Sequence, residues 1–306
     1  MTGAIVVALL PIALLIALGQ VLRRRRFVPD SFWPPAERLC YFVLLPALLA
    51  HTLATANLSG IPVGTLVASL IIPILIVSAL LIACHGFLKI DGPAFTSVFQ
   101  GGVRFNNYVG VTAAVGLFGA AGLPLAAVAN ATIVPTVNVL CVLVFAHYGA
   151  TRASLYGIAR GIALNPLIVG SAVGIVLYAT GLGMPPGIEG FVKALGQASL
   201  PLGLLCVGAA LDWNALGRGL RPTIVSSVAK FALMPTATAL ACLGFGLDGR
   251  AATIAVLFQS LPTASSSYVM ARQLGGDAPL MAGIIASQTV FAALAVPVLL
   301  LLLVAG

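Results

Sequence analysis

Phe99-Gln100-Gly101-Gly102-Val103-Arg104-Phe105-Asn106-Asn107-Tyr108 puts an arginine, two asparagines and a glycine pair inside an otherwise apolar stretch. Near the C-terminus, Phe258-Gln259-Ser260-Leu261-Pro262-Thr263-Ala264-Ser265-Ser266-Ser267-Tyr268 interrupts a second apolar stretch in the same way. Both open on Phe-Gln and close on Tyr-Val. Two interrupted hydrophobic segments at matching places in two halves are the sequence mark of a transporter's binding site.

Composition sets the solvent. Hydrophobic residues make up 60% of the 306 and charged residues 7%, against about 25% charged in a soluble domain. The chain reads as an all-α polytopic membrane protein. It forms one membrane domain over residues 1–306, with no polar stretch long enough for a soluble module. The formal charge of +8 does not indicate nucleic acid. The basic residues, Arg23-Arg24-Arg25-Arg26 above all, gather at span ends, where they fix orientation and meet lipid headgroups. Met1 to Gly19 carries no charge and the arginines follow it, which is not the order of a signal peptide. The five cysteines and three histidines are scattered without metal-ligand spacing, so neither a metal site nor a cofactor is expected.

A span needs about 20 apolar residues. That rule yields ten: Gly3 to Leu22, Ala36 to Ala56, Pro62 to Leu88, Ala94 to Gly119, Gly122 to His147, Ile158 to Thr180, Gly190 to Leu211, Gly219 to Phe245, Ala251 to Gln273 and Pro279 to Val304. With alternating loops, one side receives the Arg23–Arg26 run, Arg38, Lys89, Arg152, Arg160, Arg218, Arg221 and Arg272. The other receives Lys193 and Arg250. The rich side is expected to be cytoplasmic, which places both termini outside the cytoplasm.

The chain also repeats. Leu45-Pro46 pairs with Leu200-Pro201, Pro73 with Pro235, Phe99-Gln100 with Phe258-Gln259, Tyr108-Val109 with Tyr268-Val269, and Ala131-Thr132 with Gln288-Thr289. Residues 1–150 and 151–306 then form two five-span repeats. An odd span number makes the second repeat inverted with respect to the first.

The acids Asp30, Glu37, Asp91, Glu189, Asp212, Asp248 and Asp277 all fall in loops or at span ends. The charges expected within spans are cationic, Arg104 and Lys230, which suits an anionic substrate better than a metal cation. Asn106 and Asn107 offer amide donors at the first break. A helix interrupted there exposes N–H groups that attract anions, and Gly101 and Gly102 permit the break. Pro262 interrupts the second segment. Thr263, Ser265, Ser266 and Ser267 follow it as further candidate substrate ligands, and Ser266 and Ser267 stand where Asn106 and Asn107 stand when the tyrosines are aligned. Gln100 and Gln259 are candidate braces for the two breaks. Lys230 admits three roles: counter-charge to substrate, an internal cation in place of sodium, or a partner for the carbonyls of a broken neighbour. Arg104 either contacts substrate or edges an aqueous cavity.

The motifs Phe42-Val43-Leu44-Leu45-Pro46-Ala47-Leu48, Arg104-Phe105-Asn106-Asn107-Tyr108-Val109-Gly110, Leu261-Pro262-Thr263-Ala264 and Tyr268-Val269-Met270-Ala271-Arg272 resemble the auxin efflux carrier family, which includes plant PIN proteins and bacterial malonate transporters. The likeness covers essentially the whole chain. It implies the ten-helix fold of bile-acid symporters and sodium/proton antiporters, with the fourth and ninth helices crossing as broken helices. It further implies a scaffold of spans one, two, six and seven, often dimeric, and a six-span transport domain that moves like an elevator. Substrate would sit near Asn106 and the Pro262 segment, facing scaffold residues around Pro46 and Pro201. Unlike PIN proteins, this chain has no proline at the first crossover and no large loop between its halves, so their phosphorylation control is not expected.

The function expected is a secondary transporter of a small organic anion, a carboxylate or dicarboxylate such as malonate, with a proton, a sodium ion or the membrane potential as driving force. The resemblance points to a multi-pass protein of a bacterial inner membrane. The alternatives are a symporter of a larger, bile-acid-like amphipathic anion, an anion channel and a sensor. A channel would need a continuous polar pore face. An intramembrane enzyme would need a motif such as H-E-x-x-H or G-x-S-x-G, and neither occurs.

Overall fold

The computed structural model describes residues 2–56, 60–150, 160, 163–215 and 219–304. Six helical stretches among the described residues are long and apolar enough to cross a membrane: Asp30–Ala54, Val63–Leu88, Gly92–Tyr148, Pro186–Ala210, Leu220–Gly244 and Ala278–Leu302. No strand occurs among the described residues. The physical reason is solvent. A backbone in lipid must satisfy its own hydrogen bonds, and a helix does so locally.

The helices in chain order are α1 (Thr2–Arg24), α2 (Trp33–Leu39), α3 (Leu45–Ala54), α4 (Val63–Leu88), α5 (Gly92–Val103), α6 (Asn107–Phe118), α7 (Gly122–Tyr148), α8 (Pro166–Ala179), α9 (Pro186–Ala210), α10 (Leu220–Val228), α11 (Met234–Gly244), α12 (Gly249–Gln259), α13 (Ser266–Leu274) and α14 (Ala278–Val304). A π turn, Cys40–Leu44, joins α2 to α3, and another, Ala229–Leu233, joins α10 to α11. Each ends just before a proline, Pro46 or Pro235. Proline lacks an N–H and crowds the carbonyl four residues back. One wider turn relieves that clash, as the i→i−5 bonds of Leu45 to Cys40 and Met234 to Ala229 record.

Close backbone approach joins α1, α3, α8 and α9. A Cβ on Gly196 would lie 2.9 Å from the Leu48 Cα, and one on Gly174 would lie 2.7 Å from the Ala50 carbonyl. Small residues at such crossings are how helices associate without a hydrophobic gradient. The same core continues through α4, α5, α7 and α12, where Leu66, Leu70, Phe95, Phe99 and Leu257 are fully buried.

The chain ends of several helices meet on one face. The Ala150 N–H donates to Gly275 at 2.9 Å, the Asp277 N–H to Pro93 at 3.1 Å, and Arg221 to Phe87 at 3.4 Å. Residues 87–93, 148–150, 219–221 and 275–277 therefore lie together. The sequence reading assigned all of them to the arginine-rich side. Arg152 and Arg218 lie outside the described residues.

Candidate functional site

The first break forms because two helices end against each other. Asp91 caps α5, its carboxylate accepting from the Ala94 N–H at 2.8 Å. The helix stops at Val103, and Arg104 turns to extended backbone (φ −76°, ψ 159°). Asn106 then starts α6. Its Oδ1 accepts from the N–H groups of Tyr108 at 3.1 Å and Val109 at 3.2 Å, the N-cap geometry for which asparagine is suited. The second break lies between Gln259, where α12 ends, and Ser266, where α13 begins. Pro262 has no N–H to give. The Thr263 N–H, freed from the helix, donates instead to the Gln288 side chain at 3.0 Å.

Gln288 also donates to the Gly101 carbonyl at 3.1 Å and to Ser226 Oγ at 3.2 Å. One fully buried amide thus satisfies freed backbone at both breaks. Arg104 joins them a second time. Its guanidinium donates to Asn138 Oδ1 at 2.8 Å and to Ser266 Oγ at 3.1 Å. Aromatic packing adds a third link, with the rings of Phe105 and Phe258 5.6 Å apart. Close packing brings in α10 as well. A Cβ on Gly101 would overlap Ser226 Oγ and lie 2.6 Å from Ile284 Cγ2.

A cavity of about 850 Å³ lies beside the breaks. Arg104, Asn106, Asn107, Asn138, Ser265 and Ser266 supply its polar wall. Tyr41, Phe42, Val142, Val269, Met270 and Leu274 supply an apolar one. Glu37 and Arg38, in the last turn of α2, and Asn165, the N-cap of α8, add to the lining. Lining residues at Pro34, Asn165 and Leu274 carry the cavity from the breaks toward the face where residues 148–150 and 275–277 meet.

Of the candidate substrate ligands, Asn106, Asn107, Ser265 and Ser266 line the cavity. Pro262, Thr263 and Ser267 do not. They are buried, and the Thr263 and Ser267 hydroxyls bond to each other at 3.0 Å. Gln100 and Gln259 brace the packing. The first donates to the Ser267 carbonyl at 3.4 Å and the second to the Leu70 carbonyl at 3.0 Å. Gly102 packs toward Leu81 and Ala229. Lys230 lies in the second π turn, fully buried, its Nζ without a hydrogen-bond partner among the described residues. It is not part of the cavity lining. Pro46 packs against Gly170 of α8, and Pro201 is exposed; neither reaches the cavity.

Three residues carry more here than the sequence alone indicated. Glu37, counted there among the span-end acids, lines the cavity and accepts a hydrogen bond from the Ser265 hydroxyl. The cavity therefore carries an acid as well as Arg104. Gln288, noted only as a repeat marker, is the amide that serves both breaks. Asn138 was not singled out. Its signal was a lone amide within an apolar run, Val137-Asn138-Val139, and such residues in spans are kept for a reason.

The sequence is similar to known transport proteins. A family model described as "Membrane transport protein" matches residues 150–300. A protein of Rhizobium meliloti (strain 1021) named "Putative malonate transporter" is 26% identical over 283 residues, covering 87% of this chain and 85% of that one. Two proteins of Oryza sativa subsp. japonica are similar over shorter stretches. "Probable auxin efflux carrier component 5a" is 25% identical over 130 residues, 40% of this chain and 36% of that one. "Probable auxin efflux carrier component 5b" is 27% identical over 160 residues, 49% of this chain and 42% of that one. The second half of the chain thus matches a family of membrane transport proteins, and most of the chain is similar to a protein named as a transporter.

Proposed function

We propose that the protein is a secondary transporter that carries a small organic anion, a carboxylate, across the membrane by alternating access. The observation that supports this best is Arg104. Its side chain is only 7% exposed, it lines the cavity, and its hydrogen bonds go to neutral groups, leaving its charge uncompensated by any ion pair among the described residues. A buried cation costs desolvation energy unless an anion joins it. The α6 N-terminus at Asn107 and the α13 N-terminus at Ser266 add donors and positive dipole ends to the same wall.

In this reading, residues 1–150 and 151–306 are inverted five-span repeats. The stretch Gly92–Tyr148 spans 57 residues, enough for two crossings at about 20 residues each. The group α1, α3, α8 and α9 is the scaffold and the site of a homodimer contact. The rest, with the breaks, moves as the transport unit. The arginine-rich face is cytoplasmic in a bacterial inner membrane, both termini lie outside, and the cavity is inward-facing. A proton or sodium ion couples to the movement. The similarity to a protein named as a malonate transporter makes malonate the first compound to try.

The test is uptake of labelled malonate and labelled lactate into proteoliposomes holding the purified protein under an imposed proton gradient, with empty liposomes as control. Saturable uptake competed by other carboxylates supports the reading. Uptake no greater than in empty liposomes for either compound, under proton and sodium gradients alike, overturns it.

A further inference from the structure

The cavity wall carries one acid, in the same lining as the groups that would hold an anion. Glu37 sits at the start of the Asp30–Ala54 stretch, half-buried and open to the cavity. Its hydrogen-bond partner among the described residues is the hydroxyl of Ser265, at the edge of the second break. That contact fixes the carboxylate where α2 meets the breaks.

No described cation neutralises it. The ion pairs among the described residues are Arg23–Asp30 and His51–Glu189. Arg38, next to it in sequence, is exposed and holds its guanidinium 5.6 Å from the centre of the Phe42 ring. Tyr41 and Tyr108 also line the cavity but are neutral. The cavity therefore carries both Arg104, with its amide and hydroxyl neighbours, and a carboxylate.

Resting on the carboxylate reading above, we propose that Glu37 is a specificity residue, selecting monoanionic carboxylates that bear a second hydrogen-bond donor and disfavouring dianions. An ionised carboxylate only accepts hydrogen bonds. A hydroxyl, an ammonium or a still-protonated carboxyl on the ligand can donate to it. A second ionised carboxylate is repelled instead. At a separation of several ångströms in a partly hydrated site, that repulsion is worth about tenfold in affinity. Specificity of this kind comes from an element that repels the wrong ligand. Malonate would then enter as its monoanion, with the remaining carboxyl proton directed to Glu37.

The experiment measures binding of lactate and malonate to the detergent-purified full chain near neutral pH, where lactate is a monoanion with a hydroxyl and malonate a dianion. Wild type is compared with Glu37→Gln and with Glu37→Ala, which serves if the amide variant fails to fold. Wild type is expected to bind lactate more tightly than malonate. In either neutral variant the ratio of the malonate Kd to the lactate Kd is expected to fall about tenfold. An unchanged ratio in a folded variant, or a wild type that prefers the dianion, overturns the proposal and leaves the carboxylate reading standing. Binding of neither compound by wild type or variant overturns both.

Discussion

Arg104 Nη2 donates to Ser266 Oγ at 3.1 Å, joining two breaks that lie 162 residues apart in sequence. The same guanidinium holds Asn138 at 2.8 Å. One side chain thus sets the relative position of α6, α7 and α13 while presenting its charge to the cavity.

Replacement of Arg104 separates these roles. Arg104→Lys keeps the charge but loses the planar fork that reaches two partners at once. It is expected to lower the maximal uptake rate while keeping competition by carboxylates. Arg104→Ala removes the charge and is expected to lower uptake at least tenfold. Initial rates in proteoliposomes, corrected for the amount of protein inserted, measure both.

Asn106 is a helix cap as well as a cavity residue. Asn106→Ala is expected to cost about 1 kcal/mol of stability, the usual value of a lost N-cap, and to abolish flux while the protein still inserts. Asn106→Ser keeps a capping oxygen and is expected to recover most of the stability. Thermal unfolding in detergent separates the two effects. Equal stability of wild type and Asn106→Ala would show that the cap carries no weight.

Gly203 of α9 lies against the ring of Tyr108, where an added Cβ would overlap the aromatic carbons. If α9 is scaffold and α6 moves, Gly203→Ala wedges the sliding surface. Reduced transport with near-normal detergent solubility is expected, and Tyr108→Leu in the same chain is expected to restore part of the rate. No recovery in the double variant would place the defect elsewhere.

Lys230 is fully buried without a hydrogen-bond partner among the described residues. Replacing such a group by an apolar one of similar length commonly leaves stability unchanged or raises it. Lys230→Met is therefore expected to unfold no earlier than wild type, yet to transport with an altered dependence on sodium and pH. An unaltered ion dependence would assign Lys230 to packing alone.

Much of this was legible in the sequence because lipid punishes exceptions. Gly101, Gly102, Pro262 and the polar residues beside them stand out in apolar runs, so both breaks were visible. Which side chains face the cavity was not. A break alternates direction over one or two residues, and Ser266 turns to Arg104 while Thr263 and Ser267 turn to each other. Glu37 carried no site signal for a related reason. Position at a span end does not say what a side chain meets, and here the carboxylate accepts from Ser265. Gln288 has no local signature, since the carbonyl of Gly101 and the N–H of Thr263 that it serves come from distant parts of the chain.

On the proposal above, the cavity beside the two breaks is where a transported anion binds. Counterflow tests it most directly. Proteoliposomes loaded with unlabelled carboxylate are diluted into labelled lactate or malonate, and exchange is followed for wild type, Arg104→Ala and Arg272→Ala. Arg272 lies on α13 but outside the cavity lining. Saturable exchange by wild type and Arg272→Ala is expected, with loss of exchange in Arg104→Ala. Exchange that survives unchanged in Arg104→Ala would contradict it.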